Sequence, residues 1–280
     1  MWKRREPEIE LKTAGQLAAM RAAGLVVADA LRAAAEAAGP GVSPADLDAV
    51  ASDVIKAAGA VPSFRGYHGY PATICTSVNA EVVHGIPSPG RPLRPGDVLS
   101  LDCGAIVDGW HADAALTVGI GEIPAHLAEL IAACAEAMWC GLAAAQPGGR
   151  LTDISHAVEN SARAAGPYGI VEDYVGHGIG SQMHMDPPVL NQGRPGRGPL
   201  LRPGMALAIE PLLTAGSPET VLLDDGWTAV TADGSVAAHF EHTVAITADG
   251  PWVLTEPDGG QAGLRRAAGA GTLNCSAART

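Results

Sequence analysis

The feature that most constrains this chain is that it is written twice. Pro40-Gly41 followed by Asp46-Leu47 is echoed by Pro147-Gly148 and Asp153-Ile154. Ala57-Ala58-Gly59 is echoed by Ala164-Ala165-Gly166, and Leu93-Arg94-Pro95-Gly96 by Leu201-Arg202-Pro203-Gly204, all at an offset of 107 or 108 residues. One such match is cheap in a chain with 35 glycines, but three in order at one offset point to internal duplication. Two long copies are too few for a solenoid. They predict two αβ halves, about residues 12–119 and 120–250, packed around a pseudo-twofold axis.

The local signals agree with that division. An Ala-rich stretch, Thr13 to Ala38, reads as a helix with Thr13 as its cap. Gly39-Pro40-Gly41 ends it, and Ser43-Pro44 opens a second helix that stops at Gly59. The second half repeats the pair over Pro124 to Ala145 and Leu151 to Ala165. Strand-like segments follow each pair: Ala72 to Val83 and Asp97 to Val118, then Met205 to Leu213, Thr220 to Val230 and Val236 to Ile246. From Asp258 to the end the chain is rich in Gly, Ala and Arg without periodicity. This predicts a flexible tail over 258–280 after a single domain spanning 1–257.

The repeat also places acids in register. Asp102 comes nine residues after Leu93, and Glu210 nine residues after Leu201. A second pair follows, Asp113 after His111-Ala112 and Glu241 after His239-Phe240. Asp108-Gly109 is a hairpin turn between Asp102 and Asp113. The strands carrying these acids read as buried on both faces. Four buried carboxylates near one axis would repel, and unpaired burial costs on the order of several kcal/mol per ion. Two divalent cations would balance the charge. A donor set of four carboxylates and one imidazole suits Mn, Fe or Co, with Zn also open. The imidazole is His177 in Gly176-His177-Gly178-Ile179-Gly180, where glycines permit close approach. His68, in Tyr67-His68-Gly69-Tyr70, is its counterpart in the first half.

Composition excludes some partners. The formal net charge of −12 argues against nucleic acid or an anionic membrane as ligand. Five cysteines without a CxxC spacing argue against a disulfide framework or a zinc ribbon and suit a reducing cytoplasm. Residues 1–8 are charged and no apolar segment follows, so no signal peptide is expected. An uncharged apolar run of about 18 residues is also lacking, so no membrane span is expected.

Taken together, these residues resemble the methionine aminopeptidases of the bacterial type I class. The resemblance is carried by Tyr67 to Pro71, Ser77-Val78-Asn79-Ala80-Glu81-Val82-Val83-His84-Gly85-Ile86-Pro87 and Asp102 to Asp113. It continues through Gly176 to Gly180, Ile209-Glu210-Pro211 and Phe240-Glu241-His242-Thr243, covering roughly residues 9–256. It implies an α+β pita-bread fold with antiparallel sheet around a central dinuclear metal site. It implies Asp102, Asp113, His177, Glu210 and Glu241 as ligands, with Asp113 and Glu241 bridging. It implies His84 and His184 as partners of the scissile peptide bond and Glu210 as the residue that relays protons. It implies a methionine pocket including Tyr67, Tyr70, Cys75 and Trp227, with Met183 and His68 also expected to contact substrate. The implied reaction is removal of an initiator methionine, preferably before a small second residue, from peptides and nascent chains. The implied setting is a cytoplasmic monomer in transient contact with the ribosome.

The run Met183-His184-Met185-Asp186-Pro187 departs from the family, which often has an aromatic residue before this histidine and two acids after it. Met183 still suits an apolar pocket, because a thioether is soft and adaptable. Prolidases and aminopeptidases P share the ligand set but usually carry a further amino-terminal domain, whereas about ten residues precede the first helix here. A binding module that had lost catalysis would be expected to lose ligands, and all five are present.

Overall fold

A computed structural model describes residues 9–270. Helix α1 (Ala14–Ala37) starts at a capping box in which Thr13 accepts the Gln16 N–H and Gln16 answers at the Thr13 N–H. Helix α2 (Pro44–Ala57) starts the same way on Ser43 and Asp46. The first half continues through β1 (Val61–Pro62), β2 (Ile74–Val78), β3 (Glu81–Val83), β4 (Val98–Val107) and β5 (Trp110–Gly119). The second half opens with α3 (Ala125–Ala144) and α4 (Leu151–Ala165). It continues through β6 (Gly169–Ile170), β7 (Gly176–Gly178), β8 (Met185–Val189), β9 (Ala206–Ile209) and β10 (Leu212–Thr214). Strands β11 (Thr220–Leu222), β12 (Ala229–Thr231), β13 (Ala237–His239), β14 (Glu241–Thr247) and β15 (Gly250–Val253) follow.

The two halves are twins at the level of single hydrogen bonds. Gly41 N–H donates to Leu93 O at 2.8 Å, and Gly148 N–H to Leu201 O at 2.9 Å. Gly96 N–H donates to Ile120 O at 2.8 Å, and Gly204 N–H to Ile246 O at 2.9 Å. Gly96 and Gly204 both have φ near 94°, a left-handed conformation that a side chain would strain. The repeated Leu-Arg-Pro-Gly is therefore a repeated turn that launches β4 in one half and β9 in the other.

The main sheet has nine strands, in the path β1-β4-β5-β14-β9-β7-β8 with β2 beside β4 and β15 beside β14, and every pair is antiparallel. The halves join where β5 of the first meets β14 of the second. Two smaller three-stranded sheets, β13-β10-β6 and β11-β12-β3, complete the strands, the second joining β3 of the first half to β12 of the second. The helix pairs cover one face of the main sheet. Val27, Leu31, Leu47 and Ile55 pack there with Leu99, Leu101 and Cys103, and Leu130, Met138, Ile154 and Val158 pack with Leu207 and Ile209. Cys103 thus faces the helices, opposite to Asp102, as strand alternation requires.

One expectation needs correction. The segment beyond Asp258 is not a flexible tail throughout: residues 261–270 form helix α5 (Gln261–Ala270), and residues 271–280 of the expected tail lie outside the described residues. Asp258 opens α5 by accepting the N–H groups of Gly260 and Ala262. Ala267 is fully buried, and Arg266 lies 3.5 Å from Glu136 and over the Trp139 ring. At Gly263 a Cβ would stand 2.4 Å from the Trp139 ring, so the small residues that read as low complexity are what lets the helix dock. Among the described residues Cys75, Cys103 and Cys134 are free and buried. Helix α3 is long and apolar enough to cross a membrane by length and composition, but half of that stretch is buried in the fold.

Candidate metal centre and substrate pocket

The sheet register brings the acids together. Asp102 on β4 stands opposite Ala115 on β5, and Ala115 stands opposite Glu241 on β14. Across the next strand pair Thr243 stands opposite Ala208, and Ala208 opposite His177 on β7. Directly paired residues share a face, and so do residues two apart on one strand. Asp113 lies two before Ala115, and Glu210 two after Ala208. Asp102, Asp113, His177, Glu210 and Glu241 therefore all project from one face, away from the helices. All five are buried, none more than 9% exposed. The Asp102–Asp113 pair comes from the β4–β5 hairpin, whose turn residues Asp108 and Gly109 have positive φ. The Glu210–Glu241 pair does not come from a simple hairpin, because β10 to β13 intervene between β9 and β14.

Burial, reinforced by the neighbouring acids, pushes Asp102, Glu210 and Glu241 well above the ordinary carboxylate range, and it pushes Asp113 up to about 6. Burial pushes the His177 imidazole down to about 4, so it is neutral at pH 7. Its Nδ1 lies 3.0 Å from Gly178 O, and a carbonyl can only accept, so Nδ1 carries the proton. The lone pair of Nε2 then faces Asp113 Oδ2 at 3.6 Å and Glu210 Oε1 at 3.5 Å. Three electron-rich atoms facing one another call for a cation between them. Asp113, His177 and Glu241 offer donor atoms within 4.8 Å of one another, and Asp102 Oδ1 is buried without a hydrogen-bond partner. The donor set fits a divalent metal site.

The glycines beside His177 serve a different purpose from the one read in the sequence. A Cβ on Gly176 would stand 2.3 Å from Ala208 O, and one on Gly178 would stand 2.2 Å from Asp186 O. They make room for the flanking strands β9 and β8.

The acids line one end of a cavity of about 90 Å³ whose wall also includes Phe64, Tyr67, Tyr70, Cys75, Met183 and Trp227. Phe64, Tyr70, Cys75 and Met183 are buried together. Cys75 stands opposite Asp102 in the register and so shares its face. Tyr70 Oη lies 3.0 Å from Gly85 O and 3.1 Å from Ile74 O, tying the end of β3 to β2. His84 and His184 line the same cavity. His84 holds φ 61°, an uncommon conformation that directs its ring towards Tyr174 and Trp227. Desolvation pushes both histidines down to about 4, His84 while half-buried and His184, an exposed residue, with the adjoining His177 ring adding to the effect. His68 stands apart: it is exposed, its ring rests on Tyr67, and it does not line the cavity.

Two residues were missed in the sequence reading. Thr243 Oγ1 accepts the Asp113 N–H at 3.0 Å and lies 3.0 Å from Asp113 Oδ1. His239, 1% exposed, lies 3.7 Å from Glu210. The only sequence signal for either was its place within two residues of Glu241.

The family model described as metallopeptidase family M24 matches residues 18–248. The chain belongs to this family.

Among M24 relatives, it is 57% identical over 249 residues to methionine aminopeptidase 1 of Mycobacterium tuberculosis (strain CDC 1551 / Oshkosh), covering 87% of this chain and 94% of that one. It is 45% identical over 244 residues to methionine aminopeptidase 1 of Bacillus subtilis (strain 168), covering 87% and 98%. The solved methionine aminopeptidase from Thermotoga maritima superposes with a TM-score of 0.87 at 41% identity, covering 89% of this chain and all of that one. The prolidase from Pyrococcus furiosus, at 22% identity and a TM-score of 0.69, covers 88% of this chain and 65% of that one, and shares the fold. The curled antiparallel sheet with its flanking helix pairs is thus the M24 pita-bread fold, and M24 membership makes this a metal-dependent hydrolase.

Proposed function

We propose that this chain is a methionyl aminopeptidase that hydrolyses the first peptide bond of chains beginning with methionine. The observation that carries this is the juxtaposition, in one cavity, of an apolar wall and a buried set of five donors. Asp102, Asp113, His177, Glu210 and Glu241 would hold two divalent ions, with Asp113 and Glu241 shared between them. Such ions, when bound, supply Lewis acidity and make water a nucleophile near neutral pH.

The chain's own groups do the rest. Phe64, Tyr70, Cys75, Met183 and Trp227 enclose an unbranched, neutral side chain without offering it a charge. A free, neutral α-amine would be held at the end of the pocket where the five donors converge, which selects chain ends. Glu210 takes a proton from the attacking water and returns one to the leaving amine. His184 donates a hydrogen bond to the scissile carbonyl oxygen as charge develops on it. His84, neutral and rigidly held, contacts the amide on the leaving side. A narrow leaving side would favour a small second residue.

The ions are Co, Mn, Fe or Zn, the setting cytoplasmic, and the substrates peptides and nascent chains met by a monomer in passing contact with the ribosome. The test is release of free methionine from Met-Ala-Ser before and after chelation. Release should stop on chelation and return with added Mn²⁺ or Co²⁺, at two ions per chain. Undiminished release after chelation would sink the proposal.

A further inference from the structure

The residue that decides which nitrogen His184 shows to the substrate is Tyr67. Its phenol oxygen lies 2.8 Å from His184 Nδ1. The contact has two possible polarities, with opposite consequences. If Nδ1–H donates to the phenol, Nε2 is a bare lone pair and cannot stabilise a carbonyl oxygen. If the phenol O–H donates to Nδ1, the ring carries its proton on Nε2.

Chemistry favours the second. A neutral imidazole nitrogen is a strong acceptor, whereas a phenol oxygen is a weak one because its lone pair is drawn into the ring. Partial burial holds the Tyr67 hydroxyl above its ordinary pKa, so it keeps its proton. The rings are also braced. Tyr67 meets His184 at a centroid distance of 5.3 Å, and His184 meets His177 edge-on at 4.3 Å. Nδ1 points at Tyr67, so Nε2, across the ring, is the nitrogen left for the cavity that both residues line.

We infer that Tyr67 is a positioning residue that fixes His184 as its Nε2–H tautomer and so makes it a hydrogen-bond donor to the substrate carbonyl. The inference rests on the proposed role of His184 and deepens it. Tyr67 enters the sequence reading only as pocket wall. The hydroxyl gives it a second task that Phe could not perform.

The experiment uses Tyr67→Phe, which keeps the ring and loses the hydroxyl. The His184 tautomer is read from imidazole ¹⁵N–¹H correlation spectra of the full chain without metal, near neutral pH. Wild type should show Nε2–H, and Tyr67→Phe should shift to a mixture. With metal restored, kcat on Met-Ala-Ser should fall about 10-fold or more while KM and metal content hold. In a His184→Ala background the same change should cost nothing further, because Tyr67 acts through His184.

An Nδ1–H tautomer in wild type overturns the inference whatever the activity. So does an unchanged tautomer in Tyr67→Phe, or an equal loss of kcat in the His184→Ala background. A wild-type chain that shows the tautomer and its shift but releases no methionine refutes the proposed function and leaves the Tyr67 assignment standing.

Discussion

His239 Nε2 lies 3.7 Å from Glu210 Oε2 and, although fully buried, has no hydrogen-bond partner among the described residues. Burial pushes its pKa down to about 3, so the ring is neutral and Nε2 has one proton to give if it is the protonated nitrogen. A small movement of Glu210 closes the contact. His239→Leu should lower kcat on a methionyl peptide about 10-fold while KM holds, and His239→Gln, which keeps a donor amide, should recover most of it. Wild-type turnover in His239→Leu would show that Glu210 works without this neighbour.

Metal-free protein should lose stability as pH rises. Asp113 is pushed up to about 6, and Asp102, Glu210 and Glu241 stand well above the carboxylate range. In the unfolded chain these groups titrate near pH 4. Between about pH 4 and pH 6, and beyond for the other three, the fold binds more protons than the unfolded chain. Its stability is therefore fully present at the low end and falls as pH rises. Divalent ions relieve the penalty. The rise in Tm on adding Mn²⁺ should be small near pH 4 and large near pH 7, by scanning calorimetry. A rise independent of pH would contradict the buried cluster.

Lys12 is a buried cation whose Nζ lies 3.4 Å from Glu10 Oε2, and that same oxygen accepts the Ser181 N–H at 3.2 Å. The pair clamps the turn between His177 and His184. A Cβ on Gly180 would stand 2.3 Å from Lys12 Cε and 2.5 Å from Glu10 Oε2. Gly180→Ala should cost up to about 1 kcal/mol in urea unfolding, because the atoms it meets are the ends of two flexible side chains that must give way. Gly15→Ala, in helix α1 with open space around it, should be neutral or stabilise by up to about 1 kcal/mol. Equal effects at the two sites would show that the clamp is loose.

Met183 is 4% exposed in the pocket wall. Met183→Ala should raise KM for Met-Ala-Ser and shrink the kcat/KM preference for methionyl over leucyl peptides about 10-fold, since shape is the only discrimination an apolar pocket offers. An unchanged ratio would place the selective contact elsewhere, with Tyr70 and Trp227 as the next residues to vary.

The duplication, the helix starts at Thr13 and Ser43, the β4–β5 hairpin and the pairing of Asp102 with Glu210 were legible because each is written within one short segment or repeats at one offset. The alternation of faces also separated Asp102 from Cys103. Helix α5 was not legible: its Gly and Ala residues carry no periodic signal, and only the flat ring of Trp139, more than a hundred residues earlier, explains them. Nor were the conformation of His84, the approach of His239 to Glu210 or the contact of Tyr67 with His184, each made by residues from separate strands and turns.

The sequence by itself determined which elements form and which residues bring charge, because helix caps, glycine turns and strand alternation act over a few residues. The tertiary structure alone decided which of those residues meet. Five donors became one site only when β5 paired with β14 and β9 with β7, putting two halves of one repeat on a common face. Burial there raises the acids and quiets the histidines, because a charge that water would solvate must find its counter-charge inside the fold.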